Sequence, residues 1–115
     1  MLKITLLLRI FYGAALIAAP ERLAKRWLGP DAARAPVQVP LRALGTREIL
    51  LHAGALAADA RGRDVRPWLA ASIAGDATDI ASTFAGRREL PAGAVPATAV
   101  VAGASALLSA ALIKL

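Results

Sequence analysis

The chain contains no cysteine and one histidine, and its aromatic residues make up only 4% of the sequence. Without cysteine, neither a disulfide framework nor a thiolate metal site can form. A single histidine also argues against a stable transition-metal site. Aromatic residues are too few for the base-stacking surfaces with which proteins bind single-stranded nucleic acid. The composition therefore argues against a disulfide-stabilised protein, a metal-binding protein and a nucleic-acid-binding protein.

Acidic residues are also scarce, with 8 Asp and Glu against 14 Lys and Arg, and the net charge is +6. The basic residues fall mainly in short clusters at 22–26, 61–66 and 87–88, and each cluster lies between apolar segments. Nucleic acid would favour one concentrated basic surface. Separate basic loops are instead typical of loops that face anionic lipid headgroups. We expect a lipid bilayer as the partner and no nucleic acid.

Hydrophobic residues make up 57% of the chain and charged residues 19%, whereas an ordinary soluble domain is about 45 to 50% apolar. Four apolar segments stand out, at about 2–19, 41–58, 67–85 and 92–113. The last has 22 residues without a charge, which as a helix would extend about 33 Å, enough to cross a hydrocarbon core of about 30 Å. The other three lie at the short end of the spanning range.

The connections predict how these segments are arranged. Short links between the second, third and fourth segments favour antiparallel neighbours. The sequence thus predicts one all-α domain, 1–115, built as an up-down-up-down bundle of four transmembrane helices. Within 20–29, Leu23, Trp27 and Leu28 share one helical face opposite charged residues, which predicts a short interfacial helix between the first two spans. We expect 31–40 to be an irregular loop because it is rich in proline.

This architecture predicts a multi-pass protein of the inner (plasma) membrane. Five Lys and Arg residues fall on the side of the termini and six on the other side, so their number does not decide the orientation. Lys3 and the basic turn at 61–66 lie nearest the ends of spans, and on that basis we expect cytoplasmic termini. The fourth segment is rich in small residues, including Ala102, Gly103 and Ala106. Such residues allow close helix packing, either within the chain or against a second copy or membrane partner.

Polar residues inside the apolar segments are the main functional signal. Ser72, Asp76, Asp79 and Thr83 are spaced by four, three and four residues, and they form one face of a helix. Each Asp near the centre of a span costs about 2.5 to 3.5 kcal/mol of insertion free energy. This face must therefore contact protein or water.

Candidate partners lie in the first two segments, which supply three arginines, one glutamate and the histidine. Guanidinium and carboxylate groups can pair through two parallel hydrogen bonds, which reduces the cost of burial. Arg42 is near a helix start, where it could instead extend to the membrane surface. The sequence predicts an intramembrane polar centre of Arg9, Arg42, Arg47, Glu48, His52, Asp76 and Asp79. Glu48 and His52 are at most half of a metal site, so we expect neither metal nor cofactor.

The role of this polar centre stays open at the level of sequence. It could fix helix register only, or it could bind a small polar or lipid-like ligand. A membrane scaffold or accessory subunit, a proton-coupled small transporter and a membrane-embedded acid/base enzyme are further alternatives. No residue pattern specifies a reaction, so no enzymatic activity is assigned.

A family resemblance extends from Arg9 to Gly86. The run from Arg42 to Glu48 reads R-A-L-G-T-R-E, and the third segment carries Gly75-Asp76. These features resemble the R-x-x-G-x-R-[DE] and G-D patterns of small bacterial four-helix integral membrane proteins of the DoxX-like group. The resemblance implies a four-helix membrane bundle. It also links the chain to a wider group associated with oxidoreductase complexes and oxidative-stress responses, without roles for particular residues.

Overall fold

The computed structural model describes residues 1–114 and contains five α-helices and no strand within them. The helices are α1 (Leu2–Ala18), α2 (Pro20–Leu28), α3 (Ala35–Ala60), α4 (Arg66–Ala85) and α5 (Ala94–Ile113). Short 3-10 turns at Gly29–Ala33 and Arg87–Glu89 complete the connections on one side of the molecule. The all-α class predicted from the sequence is confirmed.

A sharp bend separates α1 from α2. Pro20 has no N–H group and disfavours helical geometry at the preceding residue, and Ala19 accordingly has φ −141° and ψ 63°. Pro20 then occupies the first turn of α2, where its missing N–H has no cost. Helix α2 and the 3-10 turn after it run at 95° to α1, so α2 lies across one end of the bundle.

Helix α3 begins at Ala35, six residues before the start predicted from the sequence. The prediction of an irregular loop over 31–40 is therefore wrong for residues 35–40. Pro36 fits the first turn. Pro40 removes one hydrogen bond, the one to the carbonyl of Pro36, and both prolines are exposed. The freed carbonyl can therefore be solvated, and the helix continues through Pro40.

Helix α4 follows a tight turn in which Gly62 has φ +67°, a conformation that favours glycine. Asp64 stabilises the helix start, because its Oδ1 accepts hydrogen bonds from the Arg66 backbone N–H and Nε, both at 2.9 Å. The Arg66 guanidinium and backbone N–H keep the pKa of the Asp64 carboxyl below its usual value.

The four longer helices pack as two close pairs, α1 with α3 and α4 with α5. An apolar cluster of Leu6, Ala55, Leu69 and Leu112 joins the pairs at the end that carries both termini. These residues lie near the start of α1, the end of α3, the start of α4 and the end of α5, so successive long helices are antiparallel. At the other end, a second cluster places α2 over the start of α3.

Burial in this bundle is inverted relative to a soluble protein. Phe11 and Leu107 are 74% and 73% exposed, whereas Glu48 and Asp76 are 3% and 4% exposed. Many other large apolar side chains also lie on the surface, among them Ile4, Leu8, Leu50, Val100 and Val101. The interior is made mostly of small, polar and ionised residues together with a few leucines.

By length and composition, α5 is the one helix among residues 1–114 that could cross a membrane by itself. Helix α1 passes only when it is taken together with the bent segment Pro20–Ala33. Helices α3 and α4 carry the arginines and carboxylates that lower their hydropathy. One candidate span is therefore established, and the other three spans stay predictions from the sequence.

Candidate polar ligand site

The polar stripe of α4 meets a partner from another helix at every position. Ser72 and Asp79 face α3, Asp76 faces α1, and Thr83 faces α2. The four pairs are Ser72 with His52, Asp76 with Arg9, Asp79 with Arg47, and Thr83 with Trp27. The single helical face predicted from the spacing is thus the surface along which α4 contacts the rest of the bundle.

Arg9 holds two carboxylates at once. Its Nε and Nη2 donate to Glu48 at 2.8 and 3.1 Å, and its Nη1 and Nη2 donate to Asp76 at 3.2 and 3.0 Å. One guanidinium therefore joins α1 to both α3 and α4 through charge-assisted hydrogen bonds. Both carboxylates are almost fully buried, and burial without such pairing would be very costly.

His52 lies one helical turn after Glu48 and is buried. Its Nδ1 is 2.6 Å from the Glu48 carbonyl oxygen, and its Nε2 is 3.1 Å from Ser72 Oγ. A carbonyl oxygen can only accept, so Nδ1 must carry the proton. The imidazole is thus held between the backbone of its own helix and a hydroxyl of α4.

Thr83 continues the stripe to the end that α2 covers. Its Oγ1 donates to the Asp79 carbonyl at 2.7 Å and accepts from Trp27 Nε1 at 2.9 Å. This pair attaches α2 to the end of α4.

Arg47 and Asp79 form the only pair of the stripe without a hydrogen bond. Arg47 Nη2 lies 3.8 Å from Asp79 Oδ2 and also 3.8 Å from Glu48 Oε1, which is beyond hydrogen-bond distance. The Nε atom of Arg47 is buried and has no acceptor within residues 1–114. The side chains are 40% and 27% exposed, so this edge of the polar centre is accessible from outside.

Gly75 makes room for this arginine. A Cβ atom at Gly75 would lie 3.3 Å from Arg47 Nη2, closer than most Cβ contacts, and 3.5 Å from its Cζ, an ordinary van der Waals distance. The guanidinium therefore lies against the backbone of α4, one position before Asp76. Gly75 is not among the seven residues that the sequence predicts for the site, although it belongs to the Gly75-Asp76 pattern of the third segment.

Arg42 lies outside the polar centre predicted for it. Its Nε donates to the carbonyl oxygen of Ile17 at 3.1 Å on the exposed surface. Because α3 begins at Ala35, Arg42 is in its second full turn, level with the last turn of α1. It therefore stabilises a free carbonyl at the C-terminus of α1. Of the three arginines predicted for the centre, two therefore remain to face its three carboxylates.

The structure brings together six of the seven predicted residues: Arg9, Arg47, Glu48, His52, Asp76 and Asp79. Within residues 1–114, no group of three or more His, Asp or Glu side chains is arranged to hold a metal ion. Comparisons of the chain with protein-family models, curated proteins and solved structures find no match.

Proposed function

We propose that the chain is a multi-pass protein of the inner (plasma) membrane that binds a small polar or lipid-like ligand at the edge of its polar centre. In this proposal α1, α3, α4 and α5 each span the bilayer, and α2 lies at the interface. The ligand site is formed by Arg47 and Asp79. Membership of the DoxX-like group is part of the same proposal, and it rests on the residues of α3 and α4 that form this centre.

The inverted burial supports four spans. A protein in water hides its largest apolar side chains, and it seldom buries Glu or Asp. Here Phe11 of α1, Leu50 of α3 and Leu107 of α5 are 74%, 66% and 73% exposed. A hydrocarbon environment removes the cost of these exposed surfaces and requires ionised residues to face the bundle interior. Three of the four long helices therefore carry surfaces suited to lipid.

A labelling experiment tests the number of spans. The chain has no native cysteine, so Arg63→Cys, Gly93→Cys and Lys114→Cys each give a single reporter in an exposed position. In sealed vesicles, four spans place positions 63 and 114 on one side and position 93 on the other. If α5 alone spans, positions 63 and 93 react from the same side and position 114 from the opposite side, which would contradict the proposal.

The open Arg47–Asp79 pair supports the ligand site. Buried polar groups are almost always hydrogen-bonded, and the other three pairs of the α4 stripe follow this rule. Within residues 1–114, the Nε atom of Arg47 is buried and has no acceptor. The rest of the guanidinium and the Asp79 carboxylate are partly exposed and make no hydrogen bond there. A ligand group that accepts from Arg47 and donates to Asp79 would satisfy both.

The polar centre then has two parts with different tasks. Arg9 donates four hydrogen bonds to Glu48 and Asp76, and these bonds join three helices. This part fixes how the helices pack. Arg47 and Asp79 are not needed for those contacts, so they are free to exchange partners when a ligand arrives.

Ligand binding can be measured with dodecyl amphiphiles that differ only in the head group: dodecylamine, 1-dodecanol and dodecanoate. We expect at least one of them to raise the melting temperature of the protein in phosphatidylcholine nanodiscs. Arg47→Gln and Asp79→Asn should each change the size of that shift or its dependence on the head group, while the protein stays folded. Arg42→Gln, outside the centre, is the matched control. No shift with any probe, or the same change in Arg42→Gln, would contradict the ligand site.

A further inference from the structure

The charges of the polar centre do not balance. Two guanidinium groups, those of Arg9 and Arg47, face three carboxylates, those of Glu48, Asp76 and Asp79. The sum is one excess negative charge if His52 is neutral. At the depth of a membrane an uncompensated charge is costly, so the protonation of His52 decides whether a positive charge is missing.

The hydrogen bonds of His52 indicate a neutral ring. Nδ1–H donates to the Glu48 carbonyl, which leaves Nε2 facing Ser72 Oγ at 3.1 Å. The Ser72 hydroxyl has no other acceptor within residues 1–114. The hydroxyl proton has an acceptor only when Nε2 carries no proton, so the neutral ring satisfies both groups. The centre lacks one positive charge.

The positive charge that the centre lacks is needed beside Asp79. Glu48 and Asp76 each accept two hydrogen bonds from Arg9, whereas Asp79 accepts none. Its nearest cation, Arg47, is shared equally with Glu48 at 3.8 Å. Asp79 is therefore the carboxylate with the least compensation.

The surroundings of Asp79 offer no further cation. Arg9 and Tyr12 of α1, Arg47 and Glu48 of α3, and Asp76 of α4 interact with it electrostatically. Helix α5 has no ionisable side chain between Ala94 and Ile113, and α2 contributes the neutral indole of Trp27 at this part of the stripe. Compensation must come from outside the chain, either as a proton or as a bound cation.

We infer that the ligand is a cationic amphiphile of the amino-alcohol class, with an ammonium group beside a hydroxyl oxygen. This inference rests on the proposed ligand site and names its ligand chemistry. The ammonium pairs with the Asp79 carboxylate, and the neighbouring oxygen accepts from the Arg47 guanidinium. The alkyl chain lies on the exposed apolar surface of α1, where Leu8 is 64% exposed one turn before Tyr12.

Four probes with one alkyl chain test the charge and the oxygen separately: 2-amino-1-dodecanol, dodecylamine, 1-dodecanol and dodecanoate. Binding is measured at neutral pH in phosphatidylcholine nanodiscs, with the signal of empty nanodiscs subtracted. We expect affinity to fall in that order, with the amine preferred to the alcohol by about tenfold or more because Coulomb attraction is strong in low-dielectric surroundings.

Two substitutions assign the contacts. Asp79→Asn should reduce the affinity for dodecylamine to that for 1-dodecanol, and Asp79→Glu should keep the preference for the amine. Arg47→Gln should remove the advantage of the amino alcohol over the amine and keep the amine ahead of the alcohol. Arg42→Gln should retain all four affinities. Melting in the absence of probe checks that each variant is folded.

The outcomes distinguish an error in the ligand site from an error in the charge of its ligand. If no probe binds the unsubstituted protein, the ligand site itself is wrong. If the neutral or anionic probe binds most tightly, or if Asp79→Asn keeps its preference for the amine, the site stands and the cationic ligand is wrong.

Discussion

Gly13 of α1 and Gly45 of α3 pack backbone against backbone. The carbonyl oxygen of each lies 2.5 Å from the position that a Cβ atom on the other would occupy. Arg9 is one turn before Gly13, and Glu48 is one turn after Gly45. The close approach of the two helices therefore brings the guanidinium of Arg9 within reach of Glu48, which it binds at 2.8 Å.

Enlarging either glycine should disrupt the polar centre. In Gly13→Ala and Gly45→Ala the new methyl group collides with backbone, which cannot move aside alone, so α1 and α3 must separate. We expect a loss of stability of about 1 to 3 kcal/mol, as for other overpacked interiors. Unfolding in mild detergent measures it.

Gly103→Ala is the matched control for these variants. A Cβ atom there meets nothing within 4 Å, and alanine is the better helix former by about 1 kcal/mol. This variant should be as stable as the unsubstituted protein or slightly more stable. Equal destabilisation at positions 13, 45 and 103 would contradict the close approach as its cause.

Arg9 is expected to be the most sensitive charged residue of the chain. Arg9→Gln leaves Glu48 and Asp76 buried without their partner, and breaking a buried pair in this way costs about 3 to 5 kcal/mol. Arg9→Lys should recover only part of the loss, because an ammonium group has three donors and cannot form the bidentate contacts that the guanidinium makes with both carboxylates. Denaturation of both variants in detergent measures the effect. Arg42→Gln, which loses one exposed hydrogen bond to Ile17, should change stability little, and similar losses for positions 9 and 42 would contradict the assignment.

The sequence was sufficient to predict the stripe of α4. Ser72, Asp76, Asp79 and Thr83 share a face in any α-helix, and the cost of burying two carboxylates required that face to meet protein or water. The partners could not be assigned in the same way. The reach of Arg9 to Asp76 depends on how three helices pack, which no local periodicity describes.

Arg42 and Arg47 show the same limit. Both lie in α3 within six residues of Glu48, yet Arg42 bonds to the carbonyl of Ile17, and Arg47 lies against Gly75. The difference arises from where α3 begins relative to the end of α1. Proline content suggested a loop before Leu41, whereas Pro36 fits a first helical turn and Pro40 gives up a single exposed hydrogen bond.

The protonation state of His52 can be observed directly, because the chain has a single histidine. We expect ¹⁵N NMR at neutral pH to show one neutral imidazole with the proton on Nδ1, as its contact with the Glu48 carbonyl requires. In Ser72→Ala, Nε2 loses its donor, and stability should fall by about 1 to 3 kcal/mol. A doubly protonated ring in the unsubstituted protein would remove the charge deficit on which the cationic ligand depends.

The hydrogen bond from Trp27 to Thr83 predicts how α2 is attached. In Trp27→Phe and Thr83→Val, this bond between α2 and α4 is lost at a cost of about 1 kcal/mol. The exposed basic residues of α2, Arg22, Lys25 and Arg26, should then be cleaved faster by trypsin in detergent.

Trp68→Phe is the control, since Trp68 packs on Gly54 at the other end of the bundle. The double variant should be cleaved little faster than either single variant because both remove the same contact. Fully additive rates would mean that Trp27 and Thr83 act independently, and α2 would then be attached chiefly through its apolar packing on α3.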